Sequence, residues 1–188
     1  MTLYHSHENI LKAFNYNGAK IELVDWQETI WCGKIGYAVN NTEEPDVDEI
    51  LAAYRSLDCE KINGKYKPVR DWCISVNYLS AERPNGVFFG EMVKTDDQAD
   101  CFDILKIPSA QFMRIQICFE TAEALGKEMW YGGIPPYEWI YDLIAPHFGY
   151  KPSDDTIPIV EYYGHYKPNL PEIFENKLFY LYVPVAKK

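Results

Sequence analysis

The chain has 188 residues, of which 47% are hydrophobic, so it suits one large domain or two small modules and is too apolar for a disordered chain. Its formal net charge is −10 and its Lys and Arg residues are scattered, which argues against nucleic acid as a direct partner. None of the five cysteines lies in a CxxC motif, and no Gly-rich phosphate loop occurs. We therefore expect no metal, no cofactor and no disulfide framework. With no 18-residue apolar run and no signal peptide, the sequence predicts a cytoplasmic protein that does not bind membranes.

The first half of the chain predicts a strand–helix–strand–strand order. Residues 1–18 are interpreted as an N-terminal extension that holds a short helix and ends in a turn at Asn17 and Gly18. The apolar residues of 46–58 recur at helical spacing after an acidic first turn, which predicts a helix. Strands are expected over 19–39, with a break at Asp25 and Trp26, and over 71–79 and 87–93, the last two as a hairpin.

The second half predicts the same order again. A strand over 101–119 is followed by helices over 120–133 and 134–149, the latter opened by Pro135 and Pro136, and then by strands over 156–166 and 178–185. The stretch CISVNYL resembles IPIVEYY at an offset of about 84 residues, which places Asn77 where Glu161 falls. This favours two βαββ repeats over about 19–95 and 102–186, and chance similarity between β-rich stretches is the alternative.

Glu161 is a carboxylate in the middle of an apolar and aromatic stretch. In a strand it would share one face with Ile159 and Tyr163. It is either a solvated residue on a mixed face or a carboxylate held among aromatic rings, which would be costly without a partner. The second arrangement suits lipophilic cations through Coulomb attraction and cation–π contact, and it would also suit a general acid or base.

Several other residues are weighed against Glu161. Glu91 is a similar carboxylate in VFFGEMV, but the polar KTDD that follows favours a solvated side chain. Most aromatic residues serve in cores. The cluster MWYGGIPPYEWIYD is unusually dense and precedes the Glu161 strand, so we expect part of it to line a pocket. The local pattern adds Trp72 and Tyr163 to that pocket.

Three segments of the C-terminal half carry a family resemblance: FDILKIPSAQFMRIQ, YDLIAPHFGYKPSDDTIPIVEYY and FYLYVPV. They resemble the gyrase-inhibitor-like (GyrI-like) domain, the effector-binding domain of AraC- and MerR-type multidrug regulators. With AKIELVDWQETIWCGKIGYA in the place of the family's first strand, the resemblance covers about residues 19–186. The family's Trp-Leu-Pro turn is replaced by LIAP at 143–146, and no helix-turn-helix is expected in 1–18. The resemblance therefore implies a stand-alone version of the domain over 19–188.

The resemblance implies an α+β fold of two βαββ repeats with pseudo-twofold symmetry. A curved antiparallel sheet would have helices on one side and a central ligand cleft. It also implies a Glu on the penultimate strand that meets cationic, lipophilic drugs, a position that Glu161 matches. Tyr137 and Tyr180 lie near the positions of the family's pocket aromatics.

The resemblance leaves three functions open. The first is binding of a lipophilic, cationic, drug-like small molecule for sensing or sequestration. The second is hydrolysis of cyclopropane-bearing electrophiles, in which Glu161 would activate water or protonate the leaving group. The third is a gyrase-inhibitor-type interaction with a protein, either gyrase or a regulator. Binding and hydrolysis need the same pocket, so the sequence does not decide whether the protein is an enzyme.

Overall fold

The computed structural model describes residues 7–40, 43–66, 71–78, 80–126, 136–164 and 179–188. The chain divides into two compact units, each assembled from separated stretches. Unit 1 consists of Met1–Glu28, Ser109–Asp154 and Lys167–Lys188, and unit 2 of Thr29–Pro108 and Asp155–Tyr166.

The described residues of unit 2 form five antiparallel strands. Their spatial order is β9-β4-β5-β3-β6, and their bounds are β3 Thr29–Tyr37, β4 Asp71–Val76, β5 Gly86–Val93, β6 Asp103–Ile107 and β9 Ile159–Gly164. The expected hairpin of 71–79 with 87–93 is thus confirmed as β4 paired with β5. A short 3₁₀-helix, Cys59–Lys61, precedes β4.

Helix α1, Val47–Arg55, packs on one face of the unit 2 strands and confirms the helix expected over 46–58. Asp46 caps it, because its carboxylate accepts a hydrogen bond from the Glu49 backbone N–H at 3.0 Å. Ile50 is the apolar contact, packing against Cys73 and Val87 with Phe89 beside them. A Cβ at Gly36 would lie 2.4 Å from Cγ1 of Ile50, so this glycine lets α1 approach β3 closely.

Among the residues that the structure describes, unit 1 carries the other strands and more helical residues than unit 2. Its strands lie in the order β1-β2-β7-β10, with β8 paired to β10, and they are β1 Glu8–Tyr16, β2 Ala19–Trp26, β7 Ala110–Ile117, β8 Tyr150–Pro152 and β10 Phe179–Lys187. Helix α2, Phe119–Leu125, ends at Gly126 in the left-handed region. A second helical stretch runs through α3 Pro136–Glu138, a π-helical turn Trp139–Ile144 and α4 Ala145–His147.

The N-terminal helix prediction is wrong, because residues 8–16 form strand β1. This strand pairs with β2 in an antiparallel hairpin whose last paired residues, Tyr16 and Ala19, flank a two-residue loop. Both loop residues have positive φ, 52° at Asn17 and 97° at Gly18. An Asn-Gly pair is well suited to this turn, whose backbone twist matches that of the flanking strands.

The other expected elements are found with shifted bounds. The long strand over 19–39 is divided into β2 and β3, and the strand over 101–119 into β6 and β7. The chain is therefore an α+β protein with antiparallel strands.

The internal repeat stays a prediction. Asn77 follows the end of β4 and has a φ of 58°, whereas Glu161 is the third residue of β9. Over the described ranges, every helix is too short or too polar to cross a bilayer.

Candidate functional site

Glu161 lies in a row of side chains that crosses four strands of unit 2. It pairs with Cys73 of β4, Cys73 pairs with Phe89 of β5, and Phe89 pairs with Lys34 of β3. Residues directly opposite each other in antiparallel strands point to the same face. Glu161, Cys73, Phe89 and Lys34 therefore share one face, and we call them the Glu161 row.

Helix α1 covers the same face of the strands as the Glu161 row. Its residue Ile50 packs against Cys73, and Phe89 belongs to the same apolar cluster. Glu161 itself is only 5% exposed. The solvated alternative for Glu161 is therefore wrong, whereas its contact with a ligand stays a prediction.

The thiol of Cys73 is the group directly opposite Glu161. Cys73 is 9% exposed, and burial raises the pKa of its thiol well above the usual value. The charge of Glu161 raises that pKa further, because a second negative charge beside the carboxylate is unfavourable. The row thus presents a neutral thiol next to Glu161 at pH 7.

The cation at the far end of the Glu161 row is engaged elsewhere. Lys34 Nζ lies 3.1 Å from Oδ2 of Asp103, and both side chains are about one-third exposed. The same Asp103 oxygen accepts a hydrogen bond from the Ile35 backbone N–H at 2.9 Å. Lys34, on the third strand from β9, therefore binds Asp103 of β6 on the side away from Glu161.

Glu91 is a second buried carboxylate on this face, so the expectation that it is solvated is wrong. It is 6% exposed, opposite Cys32 in the pairing of β3 with β5. Lys65 Nζ lies 3.9 Å from its Oε2 and donates to the Cys59 carbonyl oxygen at 2.7 Å. Burial, followed by the charge of Glu91, raises the pKa of Cys32 to about 12. The two-residue spacing from Val87 and Phe89 was the signal that placed Glu91 on the apolar face.

Two of the predicted aromatic residues lie on the strands that carry the Glu161 row. Trp72 pairs with Gly90 and with Tyr162, and Tyr163 follows in β9. The side chains of Trp72 and Tyr163 fall outside the described part of the structure, as do residues 129–135 of the dense aromatic cluster. Their proposed ligand contacts stay predictions.

Tyr137 and Tyr180, the other two predicted aromatics, belong to unit 1. Tyr137 lies in α3 and is half-buried. Tyr180 is the second residue of β10, and its ring centroid lies 5.5 Å from Cζ of Arg114. Burial raises the pKa of the Tyr180 phenol above its usual value. Tyr180 therefore contacts a buried guanidinium of its own unit, and its contact with a ligand stays a prediction.

A buried charged network in unit 1 was not predicted from the sequence. We call it the Arg114 cluster, and it consists of Arg114, Glu8, Glu22 and Tyr182. Arg114 binds Glu22 through Nε, at 2.9 Å, and Nη2, and it binds Glu8 through Nη1 at 2.7 Å. The Tyr182 hydroxyl donates to the other oxygen of Glu8 at 2.9 Å. These bonds join side chains of β1, β2, β7 and β10, the four neighbouring strands of unit 1.

No protein-family model and no curated protein matches the chain. Solved structures do match its fold. SAV2435 bound to tetraphenylphosphonium has a TM-score of 0.56 at 11% identity, over 88% of this chain and 93% of that chain. The EcmrR C-terminal domain has a TM-score of 0.54 at 12% identity, over 90% and 99%. A third structure, of a protein from Staphylococcus aureus MU50, has a TM-score of 0.53 at 12% identity, over 90% of this chain and 99% of that chain. At these identities the likeness establishes a shared fold.

Proposed function

We propose that this protein binds lipophilic cations and that Glu161 supplies the charge that recognises them. The observation that carries the proposal is a carboxylate, 5% exposed, in the middle of a strand and directly opposite a neutral thiol, with the Phe89 ring one strand further along the same row. The shared fold with SAV2435, a protein bound to tetraphenylphosphonium, supports the same ligand class.

Loss of hydration by both the carboxylate and the ligand favours a lipophilic cation at this site. A buried carboxylate has lost much of its water, so Coulomb attraction to a cation is stronger there than at the surface. A large cation whose charge is surrounded by hydrocarbon gives up little hydration on entering an apolar site. It also gains dispersion and cation–π contact with a ring such as Phe89. A lipophilic cation therefore fits the Glu161 row better than an anion or a strongly hydrated ion.

Further parts of the proposal follow from the family resemblance. Trp72, Tyr137, Tyr163 and Tyr180 are proposed ligand contacts, and substitution of each by Leu should weaken binding of an aromatic cation. Two βαββ repeats with pseudo-twofold symmetry are the proposed architecture. Sensing or sequestration of the ligand is the proposed use, without direct contact of this chain with nucleic acid.

The test is titration calorimetry with tetraphenylphosphonium and with triphenylphosphine oxide, a neutral compound that also carries several phenyl rings. Glu161→Gln keeps the size of the side chain and removes its charge. Truncating one partner of a buried charge pair costs about 2–5 kcal/mol, and about 1.4 kcal/mol corresponds to a tenfold change in Kd. We therefore expect Glu161→Gln to lower the affinity for tetraphenylphosphonium at least tenfold and to leave the affinity for triphenylphosphine oxide nearly unchanged.

Glu60→Gln is the matched control, because it removes one carboxylate from the exposed surface of unit 2. We expect it to change phosphonium affinity by less than about twofold, since exposed pairs are worth about 0–1 kcal/mol. Equal losses for the phosphonium and the neutral compound in Glu161→Gln would show that the carboxylate is structural. Failure of the wild-type protein to bind the phosphonium or other lipophilic cations would reject the proposed function.

A further inference from the structure

Cys73 is placed between Glu161 and the apolar cluster beneath α1. It is directly opposite Glu161 in the pairing of β4 with β9, where Cβ atoms lie about 4.5–5.5 Å apart. On its other side it is opposite Phe89, and it packs with Val87 and Ile50. The thiol therefore lies one strand away from the Glu161 carboxylate, on the same face of the strands.

We propose that Cys73 is a specificity-determining residue beside Glu161, selecting cations without N–H or O–H donors, such as phosphonium and quaternary ammonium ions, over protonated amines. The inference rests on the function proposed above and adds to it the ligand class and the residue that selects it.

A ligand that enters this site loses the hydrogen bonds that its N–H donors make with water. A protonated primary amine carries three N–H donors, whereas a quaternary ammonium or phosphonium centre carries none. A buried donor left without an acceptor is costly. Beyond the carboxylate, the described row offers the Cys73 sulfur, a weak acceptor, and the Phe89 ring, which favours a cation over its face. Transfer from water into the site therefore costs the protonated amine more free energy than it costs the quaternary ion.

The protonation state of Cys73 supports the same selection. Burial, with the adjacent Glu161 charge, keeps the pKa of the thiol well above its usual value. The site thus carries the charge of Glu161 without a second one from a thiolate. One negative charge beside a neutral, polarizable sulfur is suited to a bulky ligand that carries one positive charge.

The test uses a matched pair of ligands, biphenyl-4-ylmethyl-trimethylammonium and the corresponding primary ammonium ion. We expect the wild-type protein to bind the quaternary ion about tenfold more tightly, in line with one or two unsatisfied donors in the amine. Cys73→Ser places a hydroxyl, a stronger acceptor of similar size, at the same position. We expect it to reduce the preference at least about threefold. Cys73→Ala is the control and should keep the preference, because we attribute the selection to the lack of a strong acceptor at position 73, and alanine adds none.

The outcomes separate this inference from the proposed function. If cations bind and Glu161→Gln weakens them, but Cys73→Ser leaves the preference unchanged, the role of Cys73 is wrong and the function stands. If the wild-type protein binds neither ion nor tetraphenylphosphonium, both proposals are wrong.

A measurement on the wild-type protein keeps the test decisive if Cys73→Ser does not fold. Methyl methanethiosulfonate transfers a methylthio group to a thiol and releases methanesulfinate, and mass spectrometry of peptides reports each cysteine separately. Saturating tetraphenylphosphonium should slow modification of Cys73 at least about fivefold. Cys118, 4% exposed and in unit 1, is the internal control and should change little. Equal effects at both cysteines would overturn the inference.

Discussion

Replacing Arg114 by Met should destabilise the protein strongly, whereas replacing Lys20 by Met should not. Both cations bind Glu22, Lys20 at 2.7 Å and Arg114 through two nitrogens. The Arg114 side chain is 8% exposed, but that of Lys20 is 70% exposed. The comparison therefore contrasts a buried cation with an exposed one that binds the same carboxylate, and Arg114 binds the buried Glu8 in addition.

The expected magnitudes differ severalfold. Removing Arg114 leaves Glu8 and Glu22 buried without their main cation, and breaking a buried pair in this way costs about 3–5 kcal/mol. Removing Lys20 breaks an exposed pair worth about 0–1 kcal/mol. Urea unfolding followed by tryptophan fluorescence and circular dichroism measures the free energy of unfolding of each variant. Trp26 reports on the region, since it is fully buried and packs against Tyr182 of the cluster.

The same pair of variants predicts a pH dependence. Burial raises the pKa of Glu22, but hydrogen bonds from Lys20 and Arg114 outweigh it and leave that pKa below the usual value. A lowered carboxyl pKa stabilises the folded state above the unfolded pKa of Glu, about 4.3, and the contribution is lost as the pH falls through the lowered value. The difference in free energy of unfolding between the wild-type protein and Arg114→Met should therefore be largest at neutral pH and should shrink as the pH falls toward about 3. Our reasoning would be refuted if Arg114→Met cost less than about 1 kcal/mol, or if Lys20→Met cost as much.

Three further substitutions test other parts of unit 2. Gly36→Ala should lower the free energy of unfolding by about 1–3 kcal/mol, because its Cβ would clash with Ile50 of α1, and thermal unfolding that matches wild type would contradict this contact. Asp46→Ala should cost about 0.5–2 kcal/mol through loss of the N-cap, with Asp46→Asn, which keeps a side-chain acceptor, as the milder control. Glu91→Gln should destabilise the protein, because it breaks the ion pair with Lys65. Its affinity for tetraphenylphosphonium in calorimetry should stay within about twofold of that of the wild-type protein. A loss of affinity as large as that of Glu161→Gln would place Glu91 in the binding site.

The sequence predicts strands and helices well where one signal dominates. Helix α1 has a cap, an acidic first turn and an apolar stripe, and it is found within the expected segment. Strand β1 was missed, because most of its residues are exposed and show no clean alternation. Its turn, Asn17-Gly18, carried the information, since positive φ at both positions is a property of two-residue hairpin loops. For β1, the Asn-Gly turn is therefore a stronger signal of a hairpin than the polarity of the strand is a signal against it.

Side-chain environment is harder to predict than secondary structure, as Glu91 and Glu161 show. Both were recognised as carboxylates in apolar strands, but only Glu161 was expected to be buried, and the structure buries both. The polar residues after Glu91 suggested a strand end, yet Lys65 and the Cys59–Lys61 turn lie close by and cover it. Burial depends on segments distant in sequence, which period-two patterns do not report.

Partners across strands explain which buried carboxylate is the best ligand candidate. The residue opposite Glu22 in the register is Arg114, 92 positions away, and Glu91 has Lys65 at 3.9 Å. The residue opposite Glu161 is the neutral thiol of Cys73. A carboxylate that pairs with a buried or nearly buried cation holds strands together, whereas Glu161 is directly opposite a neutral thiol, and this difference in the register is why we chose it as the ligand candidate. Since register is set by pairing between distant segments, the sequence places Glu161 on a strand, but only the fold distinguishes its surroundings from those of Glu22.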